Sequence, residues 1–171
     1  MEKGFLIVAL ALLLSACATT PAPLATGPFA DITPQAAQNQ NLSGQRVRWG
    51  GSIVSTTPGQ SDTCFEIVSR PLDSTARPEE TDRSLGRFIA CAPGFHDPAV
   101  YAKDREMTVT GVLEAPVVRK IGDYDYRFPR VRAEQIYLWP KRVEYVPGYY
   151  YDPFYDPFWS PWPYRRWPYY W

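Results

Sequence analysis

The sequence predicts a mainly β fold: a small five-stranded barrel of the OB type, with one short helix between the third and fourth strands. Three observations carry it. Apolar and polar residues alternate in stretches at 45–56, 63–69, 87–91, 105–114 and 124–139, the period of a strand with one buried face. Between the third and fourth stretches, Asp97-Pro98 is a helix start: a capping carboxylate, then a residue whose missing N–H costs nothing in the first turn. Glycine or proline interrupts the strands at Gly50-Gly51, Gly111 and Pro129, where a small closed sheet must bend or bulge. A β-sandwich of other topology is the alternative.

Ahead of the strands stands a short charged start, Glu2-Lys3, and an apolar run from Gly4 to Leu14. The run fits the core of an export signal and is too short to span a bilayer comfortably. It ends in Leu14-Ser15-Ala16-Cys17, which resembles the bacterial lipobox. That resemblance implies removal of residues 1–16, a diacylglycerol on the Cys17 sulfur and a fatty acyl (palmitate) chain on the new amino terminus. Ala18, rather than Asp, in the next position implies delivery to the outer membrane. One acyl chain holds a protein only marginally, each buried methylene adding about 0.8 kcal/mol, so two or three make the attachment durable. The plain alternative is an uncleaved anchor helix, or a secreted chain with a coincidental cysteine.

Residues 17–42 then read as the lipidated cysteine and a flexible tether. Ala18–Asn41 is rich in Ala, Thr, Pro, Gln and Asn and has no apolar period. Thr33-Pro34 marks one helical turn within it, with Thr33 as cap.

The barrel domain is expected over 43–140. In its first strand Val47, Trp49 and Ile53 share one face, and Arg46, Arg48 and Ser52 the other. The second and third strands can be paired by two independent constraints. If Cys64 lies opposite Cys91, Ile67 meets Phe88 and Phe65 meets Ala90 on the core face, and Glu66 and Arg87 become diagonal neighbours of opposite charge. One register serves both the cysteines and the apolar face. An exported chain meets an oxidising compartment, so a Cys64–Cys91 disulfide is expected. Between these strands Arg70–Gly86 is a long polar loop, expected to be solvated and paired with itself. The fourth strand puts Met107, Val109 and Leu113 on one face and Thr108, Thr110 and Glu114 on the other. Residues 115–123, with Pro116 and Gly122, are expected to turn. In the last strand Tyr124, Tyr126 and Phe128 share a face until Pro129 shifts the phase.

From Val47 onward the chain resembles the Slp family, the starvation-inducible outer-membrane lipoproteins. The stretches that carry the resemblance are Val47-Arg48-Trp49-Gly50-Gly51, Arg70-Pro71-Leu72-Asp73, Gly86-Arg87-Phe88-Ile89-Ala90, Gly94-Phe95 with Asp97-Pro98, and Ile121 to Tyr126 running on to Tyr137-Leu138-Trp139. With the lipobox they span about 12 to 140, and their order and spacing make the match specific. The resemblance implies an outer-membrane lipoprotein of starvation or stationary phase and no established enzymatic activity; the expected placement is lipid-anchored at the periplasmic face of the outer membrane. The resemblance says nothing of residues after Arg142.

Those residues form a tail, 141–171, of a different character. Tyr145–Trp171 holds fourteen aromatic residues and six prolines, with a short repeat, Asp152-Pro153-Phe154-Tyr155 and Asp156-Pro157-Phe158-Trp159. The proline spacing excludes helix and central strand. So much aromatic surface suits an interaction segment, with Tyr150, Tyr155, Trp159, Trp162 and Trp167 as its candidate contacts for a membrane interface, a partner or a sugar ring. The alternative is a low-complexity end.

Composition excludes several functions. Eighteen basic and eighteen acidic side chains cancel, and Glu2 and Lys3 cancel within the signal, so a nucleic-acid binder's basic excess is absent. There is one histidine, His96, no zinc-ligand spacing and no glycine-rich phosphate loop. Asp123 and Asp125 are a formal candidate for a paired-carboxylate hydrolase, but Arg119 and Arg127 beside them suit ordinary charge pairing. The sequence therefore points to a non-enzymatic, structural or stress-related envelope lipoprotein without cofactor or metal. The alternative is a binding module for a glycan, lipid or protein, working through the barrel face or the tail.

Overall fold

A computed structural model describes residues 19–40 and 42–143. The chain falls into two units, Met1–Lys141 and Arg142–Trp171, and the fold below belongs to the first.

Five strands form: β1 (Arg46–Pro58), β2 (Asp62–Arg70), β3 (Arg87–Pro93), β4 (Glu106–Ile121) and β5 (Tyr124–Leu138). They close into a barrel in the order β1-β2-β3-β5-β4. Every pairing is antiparallel except β3 with β5, a short parallel seam from Ile89↔Arg130 to Cys91↔Arg132. This strand order is that of the OB barrel, so the sandwich alternative is set aside. The core is built from the alternating residues of the strands: Val47, Trp49 and Ile53, Phe65 and Ile67, Phe88 and Ala90, Met107, Val109 and Leu113, and Val131. Trp49 meets Phe88 edge-on, with ring centroids 5.2 Å apart.

The bends fall where glycine and proline stand, for differing reasons. β1 pairs with β2 through residues 50–58 and with β4 through 46–52, so Gly50–Ser52 belongs to both ladders. Three backbones converge there. A Cβ on Gly51 would strike the Val68 carbonyl, and one on Gly50 would lie 2.7 Å from Thr108 Oγ1. These glycines permit close approach, while the register slip of β1 lies farther on, between Ile53 and Ser55. Gly111 does mark a slip, between it and Thr110 on the β4–β5 ladder, and another falls between Glu114 and Val117, opposite Pro129.

Four stretches differ from expectation. β4 does not stop at Glu114. It runs to Ile121 and returns through the two-residue turn Gly122-Asp123. Pro116 is tolerated because it lies where the ladder is already interrupted opposite Pro129, and Val117 and Val118 beyond it are strand formers. The segment between β3 and β4 is a single capped turn rather than a helix to Lys103. Asp97 Oδ1 accepts from Ala99 N at 2.8 Å and its carbonyl from Tyr101 N at 3.0 Å, and the turn ends before Asp104, whose φ is 66°.

The third difference is the N-terminal segment. Residues 19–40 do not hang free of the barrel. They carry two short helices, α1 (Ala22–Ala25) and α2 (Pro34–Asn39), and lie against it. Thr33 caps α2 by accepting from Ala36 N, with Pro34 at its first position. Leu24 and Ala37 are buried, Ala30 N donates to the Arg46 carbonyl and Gln35 N to the Leu85 carbonyl. Two isolated apolar anchors hold the segment, too few to show as a period.

The fourth is the 70–86 loop, which is paired with the barrel rather than only with itself. Arg77 reaches Glu106 at 2.7 Å and the Pro140 carbonyl at 2.8 Å.

Candidate functional site

Two structures that the strand pattern does not announce, the 70–86 loop and the N-terminal segment, face each other across the start of β1 and the end of β2. The loop is shaped by Asp73. Its Oδ1 accepts from Thr75 N, Thr75 Oγ1 and Arg77 N, an Asx-type turn. Leu72 bridges Pro78. Ala76, at φ 66°, turns its methyl into a small second core with Leu24 and Trp139. Its carbonyl accepts from Thr108 Oγ1 at 2.7 Å, and that oxygen accepts from Trp139 Nε1 at 2.9 Å. Arg77 lies over the Trp139 ring, 5.5 Å from its centroid.

The opposite wall is pinned by arginines and one indole. Phe29 is flanked by the guanidiniums of Arg46 and Arg48, at 5.1 and 5.0 Å. Arg46 Nη1 donates to the Thr26 carbonyl and Arg48 Nη1 to the Leu24 carbonyl. Trp49 Nε1 donates to the Ile32 carbonyl at 2.6 Å.

Between the walls is a groove of about 300 Å³, lined among others by Arg48, Arg70, Asp31, Ile32, Trp49 and Leu72. It holds two guanidiniums and one carboxylate. Arg70 is the unusual member. Its Nη1 is buried and has no hydrogen-bond partner. Among the described residues Arg105 Nε and Arg130 Nε are buried in the same way but lie outside the groove, whereas Arg46, Arg48, Arg77 and Arg87 are hydrogen-bonded. The stretches 47–51 and 70–73, which carried the family resemblance, contribute four of these lining residues.

The residues singled out from the sequence are dispersed. Cys64 and Cys91 lie opposite each other on β2 and β3, with sulfurs 2.09 Å apart as a disulfide. Beside them Ile67 pairs with Phe88, Phe65 with Ala90, and Arg87 reaches Glu66 at 2.7 Å. Asp62 is near the two sulfurs, but a disulfide offers no thiolate to a metal. The His96 ring packs against Phe65 and Tyr101 with Nε2 3.1 Å from the Pro93 carbonyl, and its backbone N–H donates to Thr63 Oγ1. Asp125 pairs with Lys120 at 3.0 Å, and Asp123 sits in the hairpin turn. Tyr126 stacks between Tyr124 and Phe128 on the shared face of β5. The signal at 1–16, Cys17, and the tail positions Tyr150, Tyr155, Trp159, Trp162 and Trp167 lie outside the described residues. Alternation could not find the groove, because Arg48 reads simply as a polar-face residue and Arg70 as the start of a polar loop. Only the order of the 47–51 and 70–73 stretches marked them.

Comparison with known proteins places the chain. It is 35% identical over 146 residues to "Outer membrane protein Slp" of Escherichia coli K12, covering 83% of this chain and 77% of that one. It is 33% identical over 171 residues to "Uncharacterized lipoprotein YeaY" of the same organism, covering 98% and 85%. Among solved structures, a small single-stranded DNA-binding protein from Streptomyces coelicolor is 13% identical with a TM-score of 0.37, covering 56% of this chain and 94% of that one. A model of the outer membrane lipoprotein Slp family matches residues 14–171. The match starts at the Leu14 of the tetrad and includes the aromatic tail, which the resemblance read from the sequence had left out. The chain belongs to the Slp family of outer membrane lipoproteins.

Proposed function

We propose that this lipoprotein is attached through acyl chains on Cys17 at the periplasmic face of the outer membrane, and that its role there is structural or stress-related rather than enzymatic. The attachment is implied by the Leu14-Ser15-Ala16-Cys17 tetrad, at which the family match begins, and the disulfide is consistent with it. The chain has three cysteines, and the sulfurs of Cys64 and Cys91 are 2.09 Å apart, which leaves Cys17, at the end of the apolar run, for the lipid. The non-enzymatic reading is supported by how the candidate catalytic groups are used. Asp125 is held by Lys120, and the His96 ring is stacked against Phe65 and Tyr101.

The test is Cys17→Ser in the full chain, with residues 1–16 replaced by a cleavable export signal. We expect the protein to move from the outer-membrane to the periplasmic fraction. A membrane-bound remainder that disappears on deleting residues 149–171 assigns the tail a second contact with the envelope. Retention of the whole amount in the outer membrane would overturn the assignment of Cys17.

A second reading, a binding module that uses the barrel face, is favoured by one observation: Arg70, a wall residue of the groove, has a buried Nη1 without a hydrogen-bond partner.

A further inference from the structure

We propose that the groove between the N-terminal segment and the 70–86 loop binds a small amphipathic anion, a carboxylate or phosphate with a short apolar body, whose head is received by Arg70. The inference rests on the binding-module reading and gives it a ligand class.

The argument begins with Arg70. A guanidinium is charged at any physiological pH and carries five donors. Burying such a donor without an acceptor is costly, and native proteins leave few of them. Nη1 of Arg70 is one, and Arg70 is a wall residue of the groove. Acceptors that line the groove are engaged with other donors rather than with Nη1. Ser69 Oγ donates to the Gly50 carbonyl, the Ile32 carbonyl already accepts from Trp49 Nε1, and the Leu85 carbonyl accepts from Gln35 N. Arg48, the second guanidinium, spends one donor on the Leu24 carbonyl. Against two cations the groove sets one carboxylate, Asp31, so it carries a net positive charge. An anion is the species that completes it, and a guanidinium fork matches carboxylate and phosphate oxygens two at a time.

The rest of the wall selects the body of the ligand. Ile32, Trp49, Leu72 and Leu85 line the same groove, and the Trp49 N–H is already used, so that ring presents only apolar surface. About 300 Å³ is at the lower end of small-molecule sites. It admits a head and a few methylenes rather than a polymer. Both walls are fixed by hydrogen bonds, the loop by Asp73 and the segment by Arg46 and Arg48, so the site is formed before a ligand arrives.

The experiment uses the full lipidated chain in phosphatidylcholine nanodiscs, titrated calorimetrically with butyl phosphate and with hexanoate, and with butanol and hexanol as neutral controls. We expect both anions to bind, neither alcohol to do so, and Arg70→Met to weaken the anions at least tenfold, with partial rescue in Arg70→Lys. Arg70→Met should also melt no lower than the parent, because it removes an unpaired buried donor. A lower melting temperature with unchanged anion binding would show a structural arginine and overturn the proposal, as would equal binding of anions and alcohols. Repeating the titration in discs containing phosphatidylglycerol distinguishes the sources. A lowered affinity for butyl phosphate identifies the lipid headgroup as the natural competitor, and an unchanged affinity identifies a soluble anion. If no small anion binds, yet a partner cross-linked in the envelope is lost in Arg70→Met, the ligand class fails while the binding module stands.

Discussion

Thr108 does two jobs with one oxygen. It donates to the Ala76 carbonyl and accepts from the Trp139 indole, joining the 70–86 loop, β4 and the residue that follows β5. Thr108→Val keeps the shape and strands both partners in a buried site. The expected loss is about 1–3 kcal/mol, read as a lower midpoint in urea, with the β spectrum of the barrel retained. Alternation put Thr108 and Thr110 on the polar face of β4, and both are fully buried. A strand's own pattern records which residues face the barrel core. It does not record that a loop and a segment from elsewhere in the chain cover the other face. Gly51 was legible as a special position but not for the right cause. The bend was read from the glycine pair, and the need for it comes from the Val68 backbone lying where a Cβ would stand.

At the scale of elements, β2 and β3 are the most legible part of the chain, because two unrelated constraints, the cysteine pair and the apolar face, agree on one register. The β4–β5 hairpin was less so. Pro116 looked like an end, and only its position opposite Pro129 makes it harmless. The N-terminal segment was the least legible, since its attachment depends on Leu24, Ala37 and a set of side chain to carbonyl bonds from β1. That attachment is testable. Leu24 fills the small core with Ala76 and Trp139, so Leu24→Ala should cost about 2–5 kcal/mol. The loss should appear as faster amide hydrogen exchange at Ala30 and Gln35, whose N–H groups bond to the barrel and the loop, with Ile67 and Val109 unaffected. A uniform loss of protection would mean that the segment and barrel open as one unit.

For the molecule as a whole, the disulfide ties β2 to β3 across a separation of 27 residues that contains the 70–86 loop. Closing a loop of that length contributes about 3–4 kcal/mol in the chain-entropy treatment. Replacing both cysteines by alanine should therefore lower the denaturation midpoint while the barrel still folds, since β2 and β3 remain paired through Phe65, Ile67 and Phe88. It should also loosen one wall of the groove. Unchanged stability in the double variant would show that the denatured chain is already compact at this point.

The docked N-terminal segment changes how the molecule stands on a membrane. A free tether of the two dozen residues read from the sequence would give a root-mean-square reach of roughly 25–30 Å, and the barrel would tumble at its end. Thr20 Oγ1 is instead bonded to the Ser74 carbonyl, and the three residue steps back to Cys17 span at most about 11 Å. With acyl chains on Cys17, as proposed, that short span is the whole leash between the lipid and the docked segment. Encounters with a partner would then be confined to a thin layer above the lipid, and loss of the hydrogen bond at Thr20 would deepen that layer.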